Sequence, residues 1–309
     1  MKKAFIVTVF NEQKSLGKLL DSLLKQTLIP DEIVVVDAGS TDNTIKILKK
    51  YSSKFPKNVL KIIVRKGNRS VGRNTAIQNS KAGIIAVSDA GCILDRKWFE
   101  NITKPLDDKK IDVVAGFYKP IAKNAFQKSL AAYTCFPEDK LTNDFLPSSR
   151  SVAFKKSAWE SVEGYPEHLD TCEDLVFARN MKKLGLNFFV EKRAIVYWPQ
   201  RKDLLEAFRQ FFSYAKGDGE ARYIRFGTPF LYARFIFLFG FIIAPVDLVN
   251  KIAVIVVLFT LYSMWAVSKN YRYVKRTDAF LYLPLLQIAS DVAVFLGMSY
   301  GYLRSIVLK

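Results

Sequence analysis

Short apolar runs alternate with amphipathic segments along the first 227 residues. Runs rich in β-branched residues predict three strands, at 4–9, 33–36 and 84–88. Apolar residues recur with helical spacing after turn signals and predict helices at 16–24, 44–51, 73–82, 175–184 and 204–214. Such an alternation is typical of an α/β fold with a mainly parallel sheet.

Each predicted strand carries a polar residue at its carboxyl end. Asn11 and Glu12 follow the first strand, Asp37 the second and Asp89 the third. Because the carboxyl ends of parallel strands line the same crevice at one edge of the sheet, we expect these side chains to lie close together in one site. Carboxylate oxygens are the ligands that Mg²⁺ and Mn²⁺ prefer, and such a cation neutralises a diphosphate. The pattern therefore predicts a site for a metal-bound diphosphate.

The hydrophobic pattern of the chain changes near residue 228. Three long apolar stretches follow, at about 229–249, 252–268 and 279–303. A helix rises about 1.5 Å per residue and a bilayer core is about 30 Å thick, so each stretch approaches the length of a membrane span. We therefore predict two domains, a catalytic domain at 1–227 and a region of two to three transmembrane helices at 228–309.

Polar residues interrupt two of these stretches. Arg234 and Asp247 lie in the first, and Gln287 and Asp291 in the third. A charge in the middle of a bilayer is costly, so a buried helical bundle stays as the alternative to membrane helices. The connector 268–278 carries four basic residues, which by the positive-inside tendency places it in the cytosol with the amino-terminal domain.

Composition narrows the class of protein. Half of the 309 residues are apolar, and 47 Lys and Arg against 29 Asp and Glu give a net charge of +18. That excess suits nucleic acid, anionic lipid or an anionic substrate, and charge alone does not choose among them. The long apolar stretches and the lack of an aromatic-basic RNA motif speak against nucleic acid. The chain has three widely spaced cysteines and one histidine, which argues against a disulfide framework and against a zinc site.

Ordered motifs give the chain a family resemblance. They are Val7-Thr8-Val9-Phe10-Asn11-Glu12, Val35-Val36-Asp37-Ala38-Gly39-Ser40-Thr41-Asp42, Gly72-Arg73-Asn74, Ser88-Asp89-Ala90-Gly91 and Glu173-Asp174. Together they resemble glycosyltransferase family 2, whose members have the GT-A fold and are inverting enzymes that use a nucleotide-sugar. The stretches 147–154 and 164–167 with Arg209-Gln210 are similar to the membrane-linked branch of succinoglycan-type exopolysaccharide transferases.

The resemblance implies roles for the residues at the strand ends. It implies nucleotide contacts from Thr8, Phe10, Glu12, Asp37, Arg73, Asn74 and Asp89. Asp89 matches the first acid of the family's DxD metal motif and implies Mg²⁺ or Mn²⁺, whereas Gly91 stands where the second acid is common. Ala38 replaces a second acid that contacts the base in many relatives, so the resemblance leaves UDP- and GDP-linked donors open.

The same resemblance implies catalytic and supporting residues. Asp174 matches the general base that takes a proton from the acceptor hydroxyl, and Glu173 is expected to support it, although acids at a helix start also serve the helix dipole. Support for the diphosphate or acceptor is expected from Arg150, Arg209, Gln210 and Lys216. Ser213-Tyr214 replaces the Arg-Trp pair of processive relatives, which argues against a processive synthase.

The expected function is inverting transfer of a sugar from a nucleotide donor to a lipid-linked or growing glycan acceptor. The protein is expected in the cell membrane as a multi-pass protein, with its GT-A domain facing the cytoplasm. Two alternatives stay open: a polyprenyl-phosphate glycosyltransferase and a catalytically inactive membrane scaffold, the latter because of Gly91 and Ser213.

Overall fold

The computed structural model describes residues 1–142 and 144–307. Its contacts divide the chain into two compact units. Unit 1 comprises Met1–Ile121 and Phe136–Pro199, and unit 2 comprises Ala122–Cys135 and Gln200–Lys309. These units do not follow the predicted domain boundary near residue 227, since unit 2 also contains residues 122–135 and begins again at residue 200. The predicted boundary stays a prediction.

Unit 1 is built on one sheet of eight strands. The strands are β1 (Lys3–Val9), β2 (Glu32–Asp37), β3 (Leu60–Val64), β4 (Ile84–Val87), β5 (Ile93–Leu94), β6 (Val113–Ile121), β7 (Val152–Lys155) and β8 (Phe188–Pro199). Their order across the sheet is β3-β2-β1-β4-β7-β6-β8-β5. The three strands predicted from the sequence are β1, β2 and β4. Each observed strand end is the predicted residue or lies one residue away from it.

The sheet is mixed, and four of the seven pairings among the described strands are parallel. Strands β1 to β4 pair in parallel, as predicted, and β6 pairs in parallel with β8. Strand β7 runs antiparallel to both β4 and β6, and β5 runs antiparallel to β8. The chain passes from β1 outward to β2 and β3, then returns to place β4 on the other side of β1. That reversal of strand order creates a crevice at the carboxyl ends of β1 and β4.

Helices cover the sheet of unit 1. They are α1 (Leu16–Leu24), α2 (Thr44–Ser52), α3 (Arg69–Gln78), α4 (Trp98–Thr103), α6 (Lys156–Ser161) and α7 (Glu173–Lys183), with 3₁₀ turns at Lys104–Asp107 and Glu138–Lys140. The core between them includes Ile6, Val34, Ile85, Phe154 and Phe177, each at most 2% exposed. Strands β1, β2 and β4 are buried at nearly every position, on both faces of the sheet, which explains why their sequences are continuous apolar runs.

Helix α3 begins four residues before the predicted start. Asn68 caps it, because its side-chain oxygen accepts a hydrogen bond from the Val71 amide at 3.1 Å. Arg73 therefore lies in the second turn and not at the helix start. A Cβ at Gly72 would lie 2.4 Å from Thr8 Cγ2, so a glycine is needed where α3 crosses β1.

Unit 2 is helical in the part of the chain that the structure describes. Its helices are α5 (Ala125–Thr134), α8 (Leu204–Glu220), α9 (Thr228–Ile243), α10 (Leu248–Val274) and α11 (Ala279–Val307). Helices α10 and α11 are long and apolar enough to cross a membrane. Helix α9 has 16 residues and extends about 24 Å, which is shorter than the predicted first span.

The helix bounds correct two details of the predicted spans. Asp247 lies in the turn between α9 and α10 and caps α10, since its Oδ1 accepts from the Asn250 amide at 3.0 Å. Helix α10 continues to Val274, so Lys269 and Arg272 belong to its last turns and not to a connector. The connector is thereby reduced to residues 275–278.

Two of the charged residues inside the apolar helices, Arg234 and Asp291, are paired with each other. Arg234 Nη2 of α9 lies 3.1 Å from Asp291 Oδ2 of α11, and the Tyr262 hydroxyl of α10 donates to the same oxygen at 2.8 Å. An unpaired charge in such surroundings is unfavourable, so the ion pair explains how both stretches accommodate their charges.

Glycines allow α8 and α11 to approach closely. A Cβ at Gly301 would lie 2.0 Å from the Lys216 carbonyl oxygen, and one at Gly297 would lie 2.5 Å from that of Phe212. This four-residue spacing of glycines is a common device for close helix packing in membranes. Near this contact, Glu220 of α8 pairs with Arg304 of α11 at 2.9 Å.

Candidate active site

Asp37 ends β2 with its carboxylate fixed in the crevice. It is 1% exposed, and its Oδ1 accepts hydrogen bonds from the amides of Gly39 and Ser40, both at 2.8 Å. Gly39 has φ of +95°, a conformation that favours glycine. Within the described residues Asp37 Oδ2 is buried and has no hydrogen-bond partner. A buried acceptor of this kind is suited to a ligand hydroxyl or N–H.

The end of β1 supplies the neighbouring residues. Phe10 is 58% exposed, and its ring is available for stacking. Asn11 has φ of +54°, and its amide donates to Ser40 Oγ at 2.8 Å, which joins the loop after β1 to the loop after β2. The Glu12 amide donates to Thr44 Oγ1 at 2.8 Å, and the Glu12 carboxylate accepts from Ser15 Oγ. Glu12 is therefore engaged in forming the loop.

Arg73 is the centre of the site. It is 2% exposed, and its Nη1 donates to Glu173 Oε1 at 2.7 Å while its Nη2 donates to Asp89 Oδ1 at 3.0 Å. One guanidinium thus connects a carboxylate that follows β4 with a carboxylate that begins α7. The structure therefore brings Arg73, Asp89 and Glu173 together.

Asp89 lies between two arginines. Its Oδ2 is 4.0 Å from Arg150 Nε, and its side chain is 35% exposed. The Arg150 guanidinium stacks over the ring of Trp198 at 4.0 Å and faces that of Tyr118 at 5.5 Å. A planar guanidinium held in this way is pre-organised to bind phosphate or carboxylate. Arg150 therefore lies beside Asp89, and its role at the diphosphate stays a prediction.

The two carboxylates that share Arg73 have opposite pKa shifts. Burial raises the pKa of Asp89, but the positive charges of Arg73, Arg150 and Arg69 outweigh burial and hold this pKa below its ordinary value of 3.8. Burial raises the pKa of Glu173 above its ordinary value of 4.5, and Asp174 adds to that effect although Arg73 opposes it. The Asp89 carboxyl is therefore ionised at neutral pH, and Glu173 is a buried partner of Arg73.

Asp174 stands at the start of α7, beside Glu173. Its Oδ1 accepts from the Leu175 amide at 2.8 Å, and its Oδ2 is 3.3 Å from the amide of Ser149. Cys172 precedes the helix with φ of +67°, a strained conformation for a residue with a side chain. Asp174 is partly exposed whereas Glu173 is 4% exposed. Of the two acids, Asp174 is the one accessible to a substrate.

Asn74 does not fit its predicted nucleotide contact. Its amide nitrogen donates to the Tyr165 carbonyl and to Glu167 Oε1, both at 2.9 Å. Its amide oxygen accepts from Trp159 Nε1 at 3.0 Å and from the Tyr165 amide at 2.9 Å. Both donors and both acceptor positions are therefore used by protein groups. In this structure Asn74 holds the loop around Tyr165.

The site offers one carboxylate for a metal ion. Among the residues that the structure describes, no three His, Cys, Asp or Glu side chains gather into a potential metal site. A Cβ built at Gly91 meets no described atom within 4 Å, so the place of a second motif acid is open. Asp89 is ionised and partly exposed, and it fits Mg²⁺ or Mn²⁺ as a single ligand when phosphate oxygens and water complete the shell.

Three predicted support residues lie on α8, in unit 2. Gln210 is 6% exposed, accepts from Arg201 Nε at 2.9 Å and donates to the Tyr214 hydroxyl at 3.2 Å. Lys216 Nζ lies 3.4 Å from Glu220, and Arg209 is exposed. Their predicted roles at the diphosphate stay predictions.

The sequence analysis gave no individual role to two aromatic residues of the site, Tyr165 and Trp198. The Tyr165 ring stacks on Phe177 with ring centroids 3.9 Å apart, its hydroxyl accepts from Ser149 Oγ at 3.2 Å, and Arg73 lies 5.3 Å from its centroid. Trp198 supports Arg150 from the last strand of the sheet. Gly164-Tyr165-Pro166 is a turn signal in the sequence, but Trp198 follows an ordinary apolar run.

Comparison with known proteins extends this description. The chain is 25% identical over 228 residues to the O-antigen chain rhamnosyltransferase RfbN of Salmonella typhimurium. The alignment covers 69% of this chain and 71% of RfbN. It is 23% identical over 201 residues to glycosyltransferase AglE of Haloferax volcanii, with 63% and 66% covered. It is 27% identical over 182 residues to the poly(ribitol-phosphate) beta-N-acetylglucosaminyltransferase TarS of Staphylococcus aureus, with 57% of this chain but 32% of TarS covered.

Solved structures share the fold. The mannosyltransferase PcManGT from Pyrobaculum calidifontis, in complex with GDP-Man and Mn²⁺, has a TM-score of 0.62 and 19% identity over 95% of this chain and 87% of that chain. Residues 1–349 of S. aureus TarS in complex with UDP-GlcNAc have a TM-score of 0.53 and 19% identity, with 97% and 91% covered. These similarities confirm the predicted GT-A fold. The family profile matches residues 4–159, half of the 309 residues, so the chain belongs to glycosyl transferase family 2.

Proposed function

We propose that this glycosyltransferase transfers a sugar with inversion from a UDP- or GDP-linked donor to a hydroxyl of a lipid-linked or growing glycan. The observation that carries the proposal is the chain of contacts from Asp89 through Arg73 to Glu173, whose neighbour in sequence is Asp174. It provides an ionised carboxylate for the donor side and an accessible carboxylate for the acceptor side within one crevice.

The donor is held by the residues at the strand ends. Asp37 Oδ2 accepts from the ribose or the base, and the exposed ring of Phe10 stacks on the nucleoside. Arg150, stacked on Trp198, faces the diphosphate. Asp89 would hold a divalent cation, which would supply further positive charge to the leaving diphosphate. PcManGT in complex with GDP-Man and Mn²⁺ supports the use of both nucleotide-sugar and metal.

Asp174 is the proposed general base. It accepts the proton of the acceptor hydroxyl while the hydroxyl oxygen bonds to the anomeric carbon, and the bond from that carbon to the diphosphate oxygen breaks. A single displacement of this kind inverts the anomeric centre and needs no covalent intermediate. The Ser149 amide orients the Asp174 carboxylate, and Arg73 restrains the adjacent Glu173.

The proposed location is the cytoplasmic face of the cell membrane. Helices α10 and α11 are long and apolar enough to span it, and the turn between them carries Lys275 and Arg276. The turn between α9 and α10, residues 244–247, carries an aspartate and no basic residue. By the positive-inside tendency, residues 275–278 face the cytoplasm. A reporter fused after Lys275 tests this, and a reporter signal from outside would contradict it.

The proposed reaction is tested by presenting UDP- and GDP-sugars with Mn²⁺ to the full chain and measuring release of nucleoside diphosphate. We expect turnover with one nucleotide class and its loss in Asp89→Ala. Phe189→Ala, which truncates an exposed apolar residue on β8, serves as a control with unchanged release. If no donor is hydrolysed and no nucleotide binds, the protein is an inactive scaffold and the proposal is wrong.

A further inference from the structure

One stretch of unit 1 is basic without interruption. Residues 43–88 carry eleven Lys and Arg residues and no acid, and so hold more than half of the net charge of +18. Their first helix, α2, is exposed at Lys46, Lys49 and Lys50 and buried at Leu48 and Tyr51. Spacings of three and four residues place the three lysines on one side of the helix. The outer side of α2 is therefore positively charged.

Helix α1 extends this charged surface. The Tyr51 hydroxyl of α2 donates to Asp21 Oδ1 of α1 at 2.7 Å, so the two helices pack side by side. Lys18 and Lys25 lie three residues before and four residues after Asp21, on the same side of α1, and both are exposed. Lys54 follows α2, and its Nζ lies 4.2 Å from the centroid of the Tyr51 ring. The surface is named the lysine face, and its members are Lys18, Lys25, Lys46, Lys49, Lys50 and Lys54.

The charge of the lysine face is not balanced by nearby acids. Within the described residues, none of its six lysines has a carboxylate oxygen within 4.0 Å. Asp21 is the one acid in the sequences of α1 and α2. The turn at 107–112 differs, because its two lysines lie among three aspartates. Like charges on adjacent helices repel one another, so the lysine face suits an extended anionic partner.

The side chains of this surface distinguish between kinds of polyanion. All six cations are lysines, which act as point charges, whereas nucleic-acid recognition favours the planar fork of arginine. Single-stranded nucleic acids also stack on exposed rings, and the aromatic residues here, Tyr51 and Phe55, are only 8% and 5% exposed. Anionic lipid headgroups require neither feature, because they attract lysines through charge alone. Unit 2 has two helices long enough to cross a membrane, which would keep a bilayer at high local concentration.

We propose that the lysine face docks unit 1 onto the anionic headgroups of a lipid bilayer. Each lysine close to such a surface strengthens the attraction about five-fold, and the attraction falls off within about 8 Å at physiological ionic strength. The docking restrains unit 1 at the membrane beyond what its covalent connection to unit 2 provides. It does not depend on the transfer of a sugar.

The test measures how fast an amine-reactive reagent acetylates each lysine of the full chain, followed by mass spectrometry. The protein is reconstituted in neutral bilayer discs of phosphatidylcholine and in anionic discs of equimolar phosphatidylcholine and phosphatidylglycerol. We expect the six lysines to react about five-fold more slowly in the anionic discs, because headgroup phosphates cover them and stabilise the ammonium form. Lys109 and Lys110, exposed in the same unit, are the controls and should react equally in both discs. High salt should restore the rates of the six lysines.

A variant tests whether the six lysines act together. The three lysines of α2 are replaced at once, as Lys46→Gln, Lys49→Gln and Lys50→Gln. All three are exposed, so the thermal unfolding midpoint should be unchanged. In the anionic discs the other three lysines should then react at nearly the rate of the neutral discs. The matched control replaces both lysines of the turn at 107–112 by glutamine and should leave all six lysines of the face protected.

Three outcomes would overturn the docking: equal rates in the two kinds of disc, an equal decrease at the two control lysines, or unchanged protection in the α2 variant. A single-stranded RNA added to the neutral discs tests the other class of polyanion. Protection by the RNA, with none by the anionic discs, would also overturn it and indicate a nucleic-acid surface.

Donor hydrolysis is measured on the same preparations with UDP- and GDP-sugars and Mn²⁺. If a donor is hydrolysed and the lysine face is not protected, the docking is wrong and the proposed function stands. If the lysine face is protected in anionic discs and neither donor class is hydrolysed or bound, the docking stands and the proposed function is wrong.

Discussion

Arg73 donates a hydrogen bond to Glu173 over 2.7 Å, and the two side chains are only 2% and 5% exposed. These residues are 100 positions apart in the sequence and join α3 to α7. Because Arg73 also binds Asp89, the ion pair fixes the position of the metal-motif carboxylate relative to the helix that carries Asp174. The pair is therefore a positioning device for both sides of the proposed reaction.

Removal of Arg73 alone should destabilise the fold strongly. Arg73→Met leaves the buried Glu173 carboxylate without its partner, and the loss of one member of a buried pair costs about 3–5 kcal/mol. The double variant Arg73→Met with Glu173→Gln removes the charge as well, so we expect it to be more stable than Arg73→Met alone. Denaturant titration of both variants in detergent measures this difference. A double variant that is less stable than the single one would contradict the proposed coupling.

The lowered pKa of Asp89 predicts how its contribution depends on pH. A carboxyl group with a folded-state pKa below its ordinary value of 3.8 adds stability above that value, and the stability is lost as the pH falls through the folded-state pKa. The advantage of the wild type over Asp89→Asn in thermal unfolding midpoint should therefore be constant down to about pH 5 and shrink below 3.8.

Glu173 should show the opposite trend. Its pKa is raised, so its contribution is fully present below 4.5 and is lost as the pH rises through the folded-state pKa. Relative to the wild type, Glu173→Gln should therefore gain thermal stability as the pH increases from acid to neutral. Parallel pH profiles for Asp89→Asn and Glu173→Gln would contradict both assignments.

Gly91→Asp should tighten metal binding. The position has open space for a side chain, and Gly91 has no left-handed backbone angle that would strain another residue. A second carboxylate there gives the cation another hard oxygen ligand. We expect a lower Kd for Mn²⁺ in the presence of UDP or GDP, measured by titration calorimetry. Gly91→Ala is the matched control and should leave the Kd unchanged, and equal values for the two variants would place the cation elsewhere.

The sequence predicted local elements well because local rules determine them. Helix α1 has the predicted bounds, Leu16–Leu24, since its apolar spacing and the preceding turn suffice. The start of α3 was wrong because the Asn68 cap competes with the glycine signal at Gly72. Helix α10 extends through Lys269 and Arg272 to Val274, and Lys275 ends it with φ of +52°. The basic residues were predicted as a connector because they end the apolar run, but Lys and Arg are good helix formers and do not interrupt a helix.

The sequence predicted which residues belong to the candidate site but not which of them contact one another. Asp37 and Asp89 end strands, so the convergence of acids at the sheet edge follows from the strand pattern. The burial of Arg73 between Asp89 and Glu173 depends on contacts between distant parts of the chain, and one sequence contains no signal for them. For the same reason the pairing of Arg234 with Asp291 was missed, although both residues were singled out as interruptions.

Gly301→Ala should destabilise the contact between α8 and α11. The new methyl group would lie 2.0 Å from the Lys216 carbonyl oxygen, so the helices must separate, at a cost of about 1–3 kcal/mol. Gly240→Ala is the matched control, because Gly240 is also helical and a Cβ there meets no described atom within 4 Å. We expect a lower thermal unfolding midpoint for Gly301→Ala only. A similar decrease in both variants would indicate a general effect of replacing helical glycine.

Asp174→Asn should separate chemistry from binding. Asparagine keeps the size of the side chain, and its one amide oxygen can still accept from the Leu175 amide, whereas the longer contact with the Ser149 amide is lost. The fold and the donor site should therefore be nearly intact. The asparagine amide is not basic, so transfer to a hydroxyl acceptor should fall by about 10² to 10⁴-fold. Asp170→Asn, an exposed acid in the loop before α7, is the control and should retain turnover.

Donor affinity and turnover are measured on the same preparations of both variants. Retained nucleotide affinity with lost turnover identifies Asp174 as the base. Turnover that survives in Asp174→Asn would mean one of two things: the acceptor is an already ionised phosphate, or Glu173 is the base. The second explanation conflicts with the burial of Glu173 against Arg73, and Glu173→Gln distinguishes the two, because a phosphate acceptor would leave that variant active as well.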